Sequence, residues 1–86
     1  MTQKDNMIRF LIINNFKQLE NKIVWQYDFK YRIQNLRVYV FEKYVILKFC
    51  GQDSLLVSNF MFYKDGLKSI QEKITEFINV FEFFKL

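Results

Sequence analysis

The first quarter of the chain carries a hydrophobic pattern of helical period. From Met7 onward, apolar residues recur at steps of three and four positions and polar residues fall between them. The apolar positions are Ile8, Leu11, Ile12, Phe16, Leu19 and Ile23. This pattern predicts an N-terminal helix that Thr2 or Asp5 caps at its start and that stops near Asn21.

The C-terminal end repeats the helical pattern. Its apolar positions are Leu67, Ile70, Ile74, Phe77, Ile78 and Phe81. Asp65 stands just before them and can act as a cap, so the pattern predicts a helix over residues 66–84. Residues 80–84 are apolar on more than one side of that helix, and we therefore expect part of this segment to cover a core or a second subunit.

Between the two helical segments the hydrophobic period changes to two. Alternation is unbroken at Trp25, Tyr27, Phe29, Tyr31 and Ile33, which predicts a half-buried strand. Residues 36–41, 44–50 and 54–63 predict three further strands. The expected fold is α+β: an N-terminal helix, a three- to four-stranded antiparallel meander sheet and a C-terminal helix, with both helices on one sheet face. Residues 1–86 are expected to form a single domain, because the chain is too short for two cores.

Two hairpin loops, Gln34 with Asn35 and Glu42 with Lys43, would fix the register of the first three strands. Residues directly opposite each other share a face. One face then collects only apolar and aromatic residues, and we expect the helices to pack there. Its members are Tyr27, Phe29, Tyr31, Ile33, Leu36, Val38, Val40, Val45, Leu47 and Phe49.

The opposite face is predicted to be basic and aromatic. Three cations form one transverse row across it: Arg32, Arg37 and Lys48. In the neighbouring rows Lys30 lies beside Tyr39, and Phe41 lies beside Tyr44. Like charges directly opposite one another destabilise a sheet, so a row of three suggests a bound anion, although long side chains that splay into water explain it as well.

The last strand has two possible orientations. A three-residue turn over residues 51–53 places Leu56, Ser58, Phe60 and Phe62 on the basic face. A turn that is one residue shorter or longer places Leu55, Val57, Asn59, Met61 and Tyr63 there instead. Apolar surface remains outside in both cases.

Composition narrows the range of functions that this chain can have. The 13 Lys and Arg against 9 Asp and Glu give a net charge of +4, and histidine is absent. Without imidazole the common nucleophile pairs and many zinc sites are missing, so we expect no catalytic residue, no metal and no cofactor. Cys50 is the single cysteine and is expected to be buried and inert. The lack of disulfides and of a long apolar run predicts a cytoplasmic protein that does not span a membrane.

The pattern as a whole favours a small non-enzymatic binding module. Basic side chains beside exposed aromatic rings are typical of sheets that bind single-stranded nucleic acid. The candidate nucleic-acid-binding residues are Lys30, Arg32, Arg37, Tyr39, Phe41, Tyr44 and Lys48. The alternative is a small inhibitor or adaptor that binds a host protein, for example a phage- or mobile-element-encoded inhibitor of a host defence nuclease of the CRISPR type. A homodimer is expected in either case, because leftover aromatic surface needs cover.

The order of elements resembles two nucleic-acid-binding families. Helix, antiparallel strands and a second helix that opens with Lys64 and Lys68 resemble the double-stranded-RNA-binding domain. That family's Gly-Pro-x-His loop has no counterpart in this chain. Residues 36–81 resemble the sheet-then-helix unit of the positive-cofactor-four and whirly-like single-stranded-DNA binders. Both resemblances concern the order of elements, and neither implies family membership.

Overall fold

The computed structural model describes residues 2–30, 33–51 and 55–83. Its helices and strands are α1 Gln3–Ile13, β1 Lys17–Gln18, β2 Val24–Asp28, β3 Asn35–Val40, β4 Tyr44–Cys50, β5 Leu55–Met61, α2 Phe62–Asp65 and α3 Leu67–Phe83. The strands form one antiparallel sheet in the order β1-β2-β3-β4-β5. This confirms the predicted α+β fold with a helix at each end, although the sheet has five strands rather than three or four.

Helix α1 begins where the sequence predicts and ends sooner. Thr2 and Asp5 form a reciprocal capping box, and hydrogen bonds from the Thr2 side chain and backbone lower the pKa of the Asp5 carboxyl. The stop near Asn21 is wrong, because Asn15 adopts a left-handed conformation with φ 68°. Phe16 N–H then donates to Leu11 O (2.9 Å) and Asn15 N–H to Ile12 O (3.2 Å). These two bonds make a Schellman motif, which ends the helix after Ile13 and turns the chain into β1.

Helices α1 and α3 pack on the same side of the sheet. Their buried residues Met7, Leu11, Ile70 and Ile74 join one hydrophobic cluster with alternate residues of the strands. The strand residues of this cluster are Trp25, Leu36, Val38, Val40, Val45, Leu47 and Phe49. They lie on the face predicted to be apolar. Val24 is buried as well but does not belong to this cluster, since it lies opposite Tyr39 on the other face. We call this side of the sheet the covered face.

The C-terminal helix closes the core with aromatic rings. Phe81 stacks on Phe49 with a centroid distance of 4.3 Å and lies 5.6 Å from Phe29. Phe77 stacks on Phe81 (4.9 Å) and contacts Phe49 (5.6 Å). These two rings of α3 therefore cover the domain's own core. Phe81 belongs to the segment 80–84 and takes the first of the two roles predicted for part of it, the covering of a core.

The predicted register is right in the second hairpin and wrong in the first. Val40 pairs with Val45, and Phe41 N–H donates to Tyr44 O (2.9 Å), so Glu42 and Lys43 are the hairpin loop as predicted. Asn35 is not a loop residue, because it lies in β3 and pairs with Asp28 and Cys50.

The pairing register of the first hairpin differs from the predicted one by an even number of residues. Leu36 was expected opposite Ile33, whereas the structure pairs it with Tyr27, six positions earlier. A shift by an even number of residues keeps every side chain on its predicted face and changes only its cross-strand neighbours. The predicted faces therefore hold for the residues of β2, β3 and β4. Ile33 was expected on the apolar face but lies outside the strands and is 74% exposed, and Tyr31 lies outside the described residues. The predicted transverse rows lose their members from the first strand, whereas Arg37 still lies opposite Lys48.

Candidate nucleic-acid interface

The sheet side that faces away from α1 and α3, which we call the open face, presents the residues that alternate with the core positions. Register assigns to it Lys17 of β1, with Gln26 and Asp28 of β2 and Arg37 and Tyr39 of β3. Strands β4 and β5 add Tyr44, Ile46, Lys48, Val57, Asn59 and Met61. Cys50 pairs with Leu55, so β5 takes the orientation predicted for a turn one residue longer than 51–53.

A basic row crosses the open face. Its members are Lys17, Gln26, Arg37, Lys48 and Val57, each directly opposite the next. Arg37 and Lys48 are therefore cross-strand neighbours, as predicted, on strands about 5 Å apart. The third predicted member, Arg32, lies outside the described residues. The position opposite Arg37 belongs to Gln26 instead, because the first hairpin has the shifted register.

The Arg37 side chain is held in place by a short relay of hydrogen bonds. Arg37 Nε donates to Gln26 Oε1 at 2.9 Å, and Gln26 Nε2 donates to Asp28 Oδ1 at 2.8 Å. A guanidinium carries five N–H donors, so this bond to Gln26 leaves others for an anion. The relay thus orients the guanidinium without neutralising it by a direct ion pair.

The two central cations, Arg37 and Lys48, form no direct ion pair within the part of the chain that the structure describes. The ion pairs found there are Lys4 with Glu42 (3.2 Å) and Lys73 with Glu76 (3.8 Å). Neither involves Arg37 or Lys48, and both of these side chains are half-buried. Half-buried like charges repel more strongly than fully solvated ones, which makes this pair a favourable place for an anionic group.

The predicted aromatic residues lie further along the same face. Phe41 and Tyr44 stack with their ring centroids 4.5 Å apart and their planes at 16°. Tyr44 is 39% exposed, Phe41 and Tyr39 are half-buried, and Tyr39 lies between Val24 and Ile46. Because Tyr44 and Lys48 are four residues apart on β4, the stack lies about 13 Å from the basic row.

Lys30 does not take its predicted place beside Tyr39. It follows the end of β2, is exposed, and helps to line a groove of about 430 Å³ at the β1 end of the basic row. The groove residues are Asn15, Lys17, Gln26, Tyr27, Asp28, Lys30 and Glu82. Its two lysines are balanced by Asp28 and Glu82, so this end of the face has mixed charge.

Lys17 is a candidate interface residue that sequence reasoning missed. The helical pattern assigned it to the first helix, whereas the structure places it in β1 opposite Gln26. The available signal was the consecutive pair Asn14 and Asn15, since asparagine tolerates the left-handed conformation that ends helices.

The open face carries one thiol. Cys50 is half-buried rather than fully buried, and it pairs across the sheet with Asn35.

Within residues 2–30, 33–51 and 55–83, no three His, Cys, Asp or Glu side chains come together as metal ligands would. No helix in these ranges is long and apolar enough to cross a bilayer.

Comparison with known proteins gives no assignment, because no family model, no curated protein and no solved structure matches this chain. A function must therefore be argued from the geometry of the open face itself.

Proposed function

We propose that this protein is a non-enzymatic module that binds single-stranded nucleic acid on its open face. The observation that carries the proposal is the adjacent pair Arg37 and Lys48, which forms no ion pair among the described residues and lies on the same face as the Phe41 and Tyr44 stack. Such cations neutralise phosphates and such rings stack on bases, the two contacts on which single-strand binders depend.

A single strand suits this surface better than a duplex. The rings lie on a sheet, where an unpaired base can be laid against them, whereas the bases of a duplex are already stacked and paired. Arg37 and Lys48 would hold the backbone, with Lys17 at the end of their row, and Tyr44 would receive a base. Phe41 would support the Tyr44 ring from behind.

Fluorescence anisotropy with a labelled single-stranded oligonucleotide tests the proposal, with DNA and RNA measured separately. If Lys17, Arg37 and Lys48 each neutralise one phosphate, log K should fall against log salt with a slope of about −2 per protomer. The same sequence annealed to its complement should bind more weakly. Equal affinity for the duplex would argue against base stacking.

A matched pair of double variants tests the site. Arg37→Gln with Lys48→Gln should reduce affinity at low salt about 10-fold or more and flatten the salt slope by roughly 1.4. Lys68→Gln with Lys73→Gln removes the same charge from α3, which packs on the covered face, and should change affinity far less. If both doubles lose the same affinity, only net charge matters and the open face is not the site.

A protein partner is the second candidate function, and one feature of β5 favours it. Val57 is 52% exposed and Met61 is 38% exposed on the open face. Apolar surface beside cations suits a protein interface as well as a nucleic acid. A chain that shows no salt-sensitive binding to DNA or RNA, but binds a purified acidic protein through the Arg37 and Lys48 face, would select this candidate. The expected homodimer and cytoplasmic location remain predictions.

A further inference from the structure

The two edges of the sheet differ sharply. Strand β1 closes one edge with two residues, one of them Lys17. Strand β5 forms the other edge with seven residues, and it contains no charged residue and no proline. Natural sheets protect long edges with charges, prolines, bulges or covering segments, because free backbone groups recruit other strands. The β5 edge has neither charge nor proline.

The hydrogen-bond pattern shows which groups of β5 point outward. Phe62 N–H donates to Lys43 O at 3.0 Å, so these two residues form a hydrogen-bonded pair at the end of the ladder between β4 and β5. Because such pairs alternate along an antiparallel ladder, Leu56, Ser58 and Phe60 turn their backbone groups toward β4. The backbone groups of Leu55, Val57, Asn59 and Met61 therefore point away from the sheet.

One of these outward groups is already satisfied within the chain. Met61 N–H donates to Asp65 Oδ2 at 2.8 Å, which ends the free part of the edge. The outward-facing N–H groups that remain belong to Leu55, Val57 and Asn59, with Val57 in the middle. A run of three that is symmetric about its centre can pair antiparallel with a copy of itself.

We propose that β5 pairs antiparallel with β5 of a second copy, centred on Val57, to make one continuous sheet across a homodimer. Val57 then lies opposite Val57 of the second copy, and Leu55 lies opposite Asn59. About six backbone hydrogen bonds form between the copies. The exposed Val57 side chains meet on the open face, and no charged side chain of β5 opposes another.

Net charge does not prevent this pairing. Each copy carries +4, and the lysine directly opposite Val57 on β4 is Lys48, so the joined sheet brings two Lys48 residues into one row. They are separated by three strand spacings, about 14 Å, which exceeds the screening length of about 8 Å at physiological salt. The aromatic rings Phe77 and Phe81 of α3 do not offer an alternative dimer interface, because both pack on Phe49 within the domain.

The dimer would also extend the open face. The basic row ends at Val57, so the row of the second copy begins where the first stops, and both open faces lie on the same side of the joined sheet. The inference does not rest on the proposed nucleic-acid function, because the pairing follows from backbone groups alone.

Sedimentation of the purified chain without nucleic acid tests the dimer by charge exchange. The wild type should sediment as a dimer of about twice 10.7 kDa at tens of micromolar. Val57→Lys and Val57→Glu should each be monomeric, because like charges then lie directly opposite, and an equimolar mixture of the two should recover the dimer. Tyr63→Lys, at a 79% exposed position in α2, is the matched control and should remain dimeric.

Monomeric wild type at 100 micromolar, or a dimeric Val57→Lys variant, would overturn the proposal, and a mixture that stays monomeric would overturn the Val57-centred register. Residue-resolved amide exchange of the wild type gives a readout that needs no variant. The Val57 and Asn59 amides should slow by at least 10-fold as concentration rises, whereas the Leu56 and Ser58 amides, which face β4, should be protected throughout. Rapid exchange at Val57 and Asn59 in a sedimenting dimer would place the interface elsewhere.

Discussion

The covered and open faces of this sheet are formed by the same strands, but their side chains differ in burial. On the covered face Leu36, Val38 and Val45 are fully buried under the helices. The residue that follows each of these lies on the open face and is half-buried. These residues are Arg37, Tyr39 and Ile46. Alternation thus places core residues and residues of the proposed binding surface next to each other along the chain, so a substitution on one face should leave the property of the other largely intact.

The largest expected contrast is between Phe49 and Ile46, both on β4. Phe49 is 5% exposed and contacts three rings of the core, so Phe49→Ala should lower the free energy of unfolding by about 3–5 kcal/mol. Ile46→Ala, on the open face, should cost about 1 kcal/mol, because less apolar area is lost from a half-buried site. Urea denaturation followed by circular dichroism measures both. Equal losses would mean that the open face is covered in solution.

The faces were predictable because their assignment needs only parity. In the second hairpin a two-residue loop at Glu42 and Lys43 and the alternation of β3 and β4 leave one register that buries Val40 opposite Val45, and the structure has it. The choice between the two orientations of β5 required the length of the preceding turn, which residues 51–54 do not signal.

The offset of the first hairpin was not predictable from alternation. Tyr31 and Ile33 continue the alternating pattern after β2 ends at Asp28, and any even shift preserves the faces. Tertiary contacts fix the offset instead, because Phe29 leaves the strand and packs against both Phe49 and Phe81, which stack on each other. The predicted neighbours of Arg37 and Tyr39 were therefore wrong, although their face was right.

A polar group on the covered face gives the next contrast. The Tyr27 hydroxyl donates to Glu82 Oε1 at 2.8 Å, joining β2 to α3. Tyr27→Phe should cost about 1 kcal/mol at pH 8, the usual net value of such a bond. The same substitution at Tyr39, which makes no hydrogen bond through its side chain within the described residues, should be close to neutral at that pH. A larger loss at Tyr39 would contradict this contrast.

The Tyr27 bond also predicts a pH dependence. Burial, the hydrogen bond to Glu82 and the negative charge of Glu82 together raise the pKa of Tyr27 to about 12, above its ordinary value of 10.0. A raised pKa favours the neutral phenol in the folded state, so the stabilisation is fully present below pH 10 and is lost between pH 10 and 12. The difference in urea midpoint between wild type and Tyr27→Phe should shrink across that interval. A difference that stays constant or grows there would show that the phenol is not held by Glu82.

The smallest expected effect separates binding from stability on the open face. Lys48 lies directly opposite Arg37, and like charges in this position destabilise a sheet by a few tenths of a kcal/mol. Lys48→Gln should therefore raise the free energy of unfolding by about 0.3 kcal/mol at low salt while weakening oligonucleotide binding. Lys17→Gln is the control, because Lys17 faces the neutral Gln26 and its loss relieves no direct repulsion. The gain should vanish in 1 M salt, where screening acts over about 3 Å. If Lys48→Gln instead lowers the free energy of unfolding at every salt concentration, Lys48 stabilises the fold through the packing of its aliphatic stem. The prediction that its charge destabilises the sheet would then be wrong.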